Sequence, residues 1–145
     1  MTSISKKIYF ASDQHFGAPT PELSFPREQK FVAWLDEVKK DAEAIFLLGD
    51  LFDFWFEYKT VVPKGFVRVL GKLAEIRDSG IPIYFFVGNH DLWMNDYFEK
   101  ELNIPVFHEN QEYTFHGKTF LVGHGDGKGP GDLGYKRMKK VFTNP

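Results

Sequence analysis

The chain has 145 residues, 43% of them hydrophobic and 26% charged, with a net charge of −2 and no cysteine. That length fits one domain with a real core, the composition excludes a disordered chain, and the charge offers no general attraction for nucleic acid. Disulfide and thiolate chemistry are excluded, which fits a reducing compartment.

The first ten residues, MTSISKKIYF, hold no long apolar stretch or small-residue cleavage site, and no apolar run reaches membrane-spanning length. The reading is a cytoplasmic protein. Residues 7–12 form a continuous apolar strand, as expected where both sheet faces are covered. A Pro-punctuated loop over 20–26 follows, with Pro26 expected in the first turn of a helix running to about Lys40. Phe31, Trp34, Leu35 and Val38 fall on one face of that helix. Residues 44–48 read as a second strand. Residues 67–78 read as a helix with Val69, Leu70, Leu73 and Ile76 on one side and Gly80 past its end. Residues 82–87 give a third strand and MNDYFEKELN a short helix. Val106 and residues 111–115 lead to a hairpin at His116-Gly117, completed by 119–122, and GYKRMKKVFTNP reads as an amphipathic helix.

Strands alternating with helices predict an α/β fold with a largely parallel sheet. Ligands of such sheets bind beyond the carboxyl ends of the strands. Asp13 and His15 lie at the exit of the first strand, Asp50 at the second, Asn89 and His90 at the third, and His124 after a later one. These exits are expected to converge. Gly49, Gly88 and Gly123 each precede the polar residue, where the lack of a Cβ permits close backbone approach.

Carboxylate, imidazole and amide oxygen without sulfur suit Mn, Mg, Zn or Fe. A carboxylate shared by two cations holds them about 3.5–4 Å apart, and Asp50 is the natural bridge. Such a pair activates water and neutralises phosphoryl charge, so the expected reaction is hydrolysis of a phosphate ester or anhydride. His90 is read as facing the substrate, to stabilise phosphoryl charge or protonate a leaving group, with Asp53 fixing its orientation. His108 and His116 read as surface residues. The aromatic share, 17% with 16 Phe, exceeds what a core of this size requires, so some rings are expected to line an apolar ligand surface.

SDQH, GDLFD, GNHD and GHGD, in that order, resemble the motifs of the calcineurin-like metallophosphoesterases. The resemblance implies an αββα sandwich, here only its N-terminal sheet with flanking helices, as a single domain over 1–145 that is incomplete at its C-terminal side. It implies Asp13, His15 and Asp50 on one metal ion and Asp50, Asn89 and His124 on the other, with manganese as the metal. It gives His90 the phosphate-facing role and Asp53 that of its partner.

Within that superfamily the chain is most similar to the UDP-2,3-diacylglucosamine hydrolases, pyrophosphatases of lipid A biosynthesis that release UMP and 2,3-diacylglucosamine 1-phosphate (lipid X). The similarity implies an acylated UDP-sugar substrate touched by Asn89, His90, Asp132 and Tyr135, and a place on the cytoplasmic face of the inner membrane. FDFWF stands where the protein-phosphatase branch has Arg-Gly, and suits either acyl chains or plain core. Lys136, Arg137, Lys139 and Lys140, behind Met138, Val141 and Phe142, suit an anionic bilayer or a solvated face.

No Gly-His-x-His follows His124. The chain is therefore read as an N-terminal portion of a longer enzyme, expected to bind metal weakly alone and to self-associate through exposed apolar surface. The alternatives are a phosphoesterase acting on a soluble nucleotide or phosphodiester, and a scaffold that has lost its chemistry.

Overall fold

The computed structural model describes residues 5–125. Four parallel strands, β1 (Lys7–Ala11), β2 (Ala42–Leu47), β3 (Ile83–Phe86) and β4 (Val106–Phe107), lie side by side in chain order. Three helices connect them: α1 (Pro21–Val38), α2 (Val67–Asp78) and α3 (Tyr97–Leu102). With a strand order that never reverses, right-handed crossovers place every helix on one face of the sheet. The packing agrees. Phe31, Leu35 and Val38 of α1, Val69, Leu73 and Ile76 of α2, and Phe98 and Leu102 of α3 share one core with Ile45, Leu47, Ile83 and Phe85.

That arrangement leaves the second face of the sheet to be covered by something else. The alternate residues of the same strands, Ala44, Phe46, Tyr84 and Phe86, meet a separate antiparallel hairpin of β5 (Gln111–Phe115) and β6 (Lys118–Val122). Phe46 sits at the centre of this layer, fully buried, with Tyr84 at 4.9 Å, Tyr113 at 4.9 Å and Phe115 at 5.8 Å between ring centroids. The expectation of one sheet with helices is thus extended, because a second two-stranded sheet is present. The hairpin turns through His116 and Gly117, both with positive φ (53° and 76°), the pairing a tight two-residue turn requires.

α2 spans the expected residues. α1 begins five residues earlier than expected, at Pro21 rather than Pro26. Thr20 caps it, its hydroxyl accepting the Leu23 amide at 3.2 Å, and Pro21 takes the first position, where a missing N–H costs nothing. Pro26 therefore lies inside the helix. α2 lacks a side-chain cap of its own, and the buried Glu28 of α1 accepts the Val69 amide at 3.2 Å instead. No helix among the described residues is long and apolar enough to cross a membrane.

Candidate metal centre

β1 and β2 end at Ala11 and Leu47, but their pairing continues into the loops beyond. The amides of Asp13, His15 and Phe16 donate to the carbonyls of Gly49, Asp50 and Leu51 at 3.1, 2.9 and 2.9 Å. Two loops therefore leave the sheet edge side by side, one carrying Asp13 and His15, the other Asp50 and Asp53. Asp13, His15 and Asp50 have φ of 62°, 49° and 53°, a left-handed conformation that costs a non-glycine residue about 1–3 kcal/mol. Gly49 and Gly88 bring the exits of β2 and β3 into backbone contact. A Cβ on Gly49 would lie 2.7 Å from the Gly88 nitrogen, and one on Gly88 would lie 2.1 Å from Asp50 Oδ1.

Donor atoms gather where these loops meet. His15 Nε2 is 3.6 Å from both Asp13 Oδ1 and Asp50 Oδ2, and His124 Nε2 is 3.4 Å from Asp50 Oδ2 and 3.3 Å from Asn89 Oδ1. One ligand atom from each of Asp13, His15 and Asp50 fits within 4.8 Å, and so does one from each of His15, Asp53 and His90. Separations of 3.6 Å are too long for direct hydrogen bonds and suit donors arranged around a common centre. With oxygen and imidazole nitrogen as the donors, the residues present fit hard-to-borderline divalent cations.

Each histidine is oriented from behind. Nδ1 of His124 meets the Leu48 carbonyl at 2.7 Å, Nδ1 of His90 meets the Asp53 carbonyl at 2.8 Å, and Nδ1 of His15 faces Asp53 Oδ1 at 3.3 Å. With Nδ1 engaged in this way, Nε2 is the ring nitrogen left to act, as a cation ligand once it has lost its proton or as a donor while it keeps it. Asp53 therefore serves both His15 and His90, a wider role than the one expected for it. Burial alone would raise the Asp50 carboxyl, but hydrogen bonds from His124 and the His90 amide outweigh it and hold the group below its usual range. The same Asp50 contact pushes His124 up to about 9.

Asp91 is the residue that sequence reasoning missed. It is fully buried, and its carboxylate accepts the amides of Gly88 at 2.6 Å, Leu51 at 3.1 Å and Asp50 at 3.3 Å. It ties the exit of β3 to that of β2. Burial is the main reason its carboxyl is pushed up to about 6. Its signal was its place in GNHD, but strand periodicity stops at Val87 and says nothing of which way the next side chains turn. His108 and His116 are exposed, as expected, and His116 pairs with Glu43 at 2.8 Å. Asp132, Tyr135 and the basic segment over 136–142 lie outside the described residues.

The family model for calcineurin-like phosphoesterases matches residues 6–142. The chain belongs to the calcineurin-like phosphoesterase family. This phosphoesterase chain is 44% identical over 140 residues to the UDP-2,3-diacylglucosamine hydrolase of Porphyromonas gingivalis, covering 96% of this chain and 53% of that protein. It is 30% identical over 136 residues to the enzyme of the same name from Edwardsiella ictaluri, covering 94% of this chain and 51% of that protein. The chain thus spans about half the length of the curated relatives it matches. Among solved structures, a protein of unknown function from Aquifex aeolicus shares the fold, with a TM-score of 0.58 at 21% identity over 92% of this chain and 68% of that one.

Proposed function

We propose that this phosphoesterase chain forms part of a two-metal hydrolase that cleaves the pyrophosphate of UDP-2,3-diacylglucosamine, with water, to UMP and 2,3-diacylglucosamine 1-phosphate in lipid A biosynthesis. Asp13, His15 and Asp50 hold one divalent cation, and Asp50, Asn89 and His124 the other, with manganese as the metal. The observation that carries the reading is the convergence of these side chains on the buried Asp50 carboxylate, in a chain 44% identical to an enzyme of that name. Bound there, the cations would supply an activated water at neutral pH and neutralise phosphoryl charge.

The chain's own residues do the rest. His90, held by Asp53 through Nδ1, presents its other ring nitrogen to the substrate, where it donates to a phosphoryl oxygen or to the leaving group. Asn89, Asp132 and Tyr135 are the further substrate contacts. FDFWF divides between its two readings. Phe52 and Trp55 are fully buried, whereas Phe54 and Phe56 are 59% and 44% exposed and sit 5.8 and 6.3 Å from the Trp93 ring. Rings exposed beside Asp53 support a substrate that carries acyl chains, and a cytoplasmic enzyme resting peripherally on the inner membrane.

The test has two parts. Titration of this chain with Mn2+ should show binding that Asp50→Ala abolishes; a chain that binds no Mn2+, with or without that change, would favour a metal-free scaffold. UMP release from the acylated UDP-sugar, measured on the protein at the relatives' length, should far exceed hydrolysis of soluble phosphodiesters. Rates that ignore the acyl chains would point to a soluble substrate.

A further inference from the structure

We propose that Arg27 is a positioning residue for the loop that carries Asp13 and His15. Its guanidinium reaches from the second turn of α1 and donates to three loop carbonyls, those of Gln14, His15 (3.2 Å) and Ala18. Ser24, three residues earlier and so on the same side of the helix, accepts the Gly17 amide at 2.7 Å. One helix face thus offers a hydroxyl acceptor and a cationic fork to a single five-residue stretch.

The loop requires such a hold. Two of its residues, Asp13 and His15, are in the left-handed region, and such conformations persist only where surrounding contacts over-determine them. The amides of Asp13, His15 and Phe16 are tied to the β2 exit, and the Phe16 carbonyl accepts the Asp53 amide from the same side, whereas the carbonyls of Gln14, His15 and Ala18 are held by the Arg27 guanidinium. Without it, the loop could relax toward ordinary backbone angles, and the two ligand side chains would turn away from Asp50. A planar fork with five donors spans three carbonyls at once; an ammonium on a flexible stem does not. Arg27 also lines a cavity of about 360 Å³ together with Asp13 and Gln14. The assignment rests on reading Asp13 and His15 as metal ligands.

The experiment uses the 145-residue protein as wild type, Arg27→Ala and Arg27→Lys, with Mn2+ alone as the probe and amide hydrogen exchange as a second readout. Arg27→Ala should weaken Mn2+ binding by about 10- to 100-fold, the range typical of residues that orient a ligand from behind. Exchange at the His15 and Phe16 amides should rise about as much, while the Leu70 and Leu73 amides within α2 keep their wild-type rates. Arg27→Lys should recover little of either. Unchanged Mn2+ affinity with unchanged loop exchange would overturn the proposal, as would faster exchange throughout α2, which marks general loosening. Full recovery by Arg27→Lys would also overturn it, since charge alone would then suffice. If the wild type binds no Mn2+, the ligand reading fails, and the exchange rates still decide whether Arg27 holds the loop.

Discussion

At the scale of single residues, the site depends on a buried carboxylate that is not among its proposed ligands. Asp91 takes up three backbone amides from the β2 and β3 exits, amides that water cannot reach. Removing the acceptor leaves each of them unpaired, and a buried donor without a partner costs about 1–3 kcal/mol. Asp91→Ala is therefore expected to lower the unfolding free energy by at least that much in urea denaturation. It should also weaken Mn2+ binding, because Asp50 and Asn89 would lose their common tether. A substitution that altered metal binding without touching stability would contradict this account. Asp13, His15, Asp50, Asn89 and His124 were legible in the sequence because each follows an apolar strand. Asp91 was not, because hidden and solvent-facing carboxylates look alike once the strand pattern has ended.

At the scale of elements, α1 carries three duties on different sides. Its apolar side enters the core, its Ser24 and Arg27 side meets the loop over residues 14–18, and its last turn is clamped to α2. Asp36 lies 2.8 Å from both Lys39 and Lys72, and Glu75 of α2 pairs with the same two lysines. Hydrogen bonds from Lys39 and Lys72 hold the Asp36 carboxyl at about 2. A carboxyl lowered in the folded state stabilises above its unfolded value, near 4, and that contribution is lost as pH falls toward 2. Denaturation curves between pH 4.5 and 2 should show this loss, and Asp36→Asn should remove its share. Because the cluster is exposed, added salt should shrink the effect. The start of α1 was misread for a local reason: two prolines compete for its first turn, and Thr20 as cap favours Pro21. α2 was read correctly, since its periodic apolar positions run without interruption to Gly80.

For the whole molecule, the hairpin is the part that local patterns placed least well. Its strands and turn were legible, yet which face of the parallel sheet it covers depends on contacts between residues far apart in the chain. Phe46 is where those contacts meet. Phe46→Ala should cost about 3–5 kcal/mol, the usual range for truncating a buried phenylalanine, as measured by chemical denaturation. Since β6 leads directly to His124, Mn2+ affinity should fall with it, beyond what the same loss of stability produces when introduced at Leu73 under α2. Equal effects from the two sites would mean that the hairpin does not position His124.

The unbroken strand order has one further consequence, for which parts of the chain can change in length. Beyond the first two turns of α1, which carry Ser24 and Arg27, the helices return the backbone to the next strand, so residues added or deleted between the motifs can be absorbed at the C-terminal end of α1 or at the ends of α2 or α3. The short counts from the last paired strand residue to the polar side chain, Ala11 to Asp13 or Leu47 to Asp50, allow no such freedom. An insertion of one residue there would shift a side chain out of the cluster and break the backbone pairing that carries it. Drift in length among proteins of this kind is therefore expected to accumulate in the crossovers and to stop short of the exits.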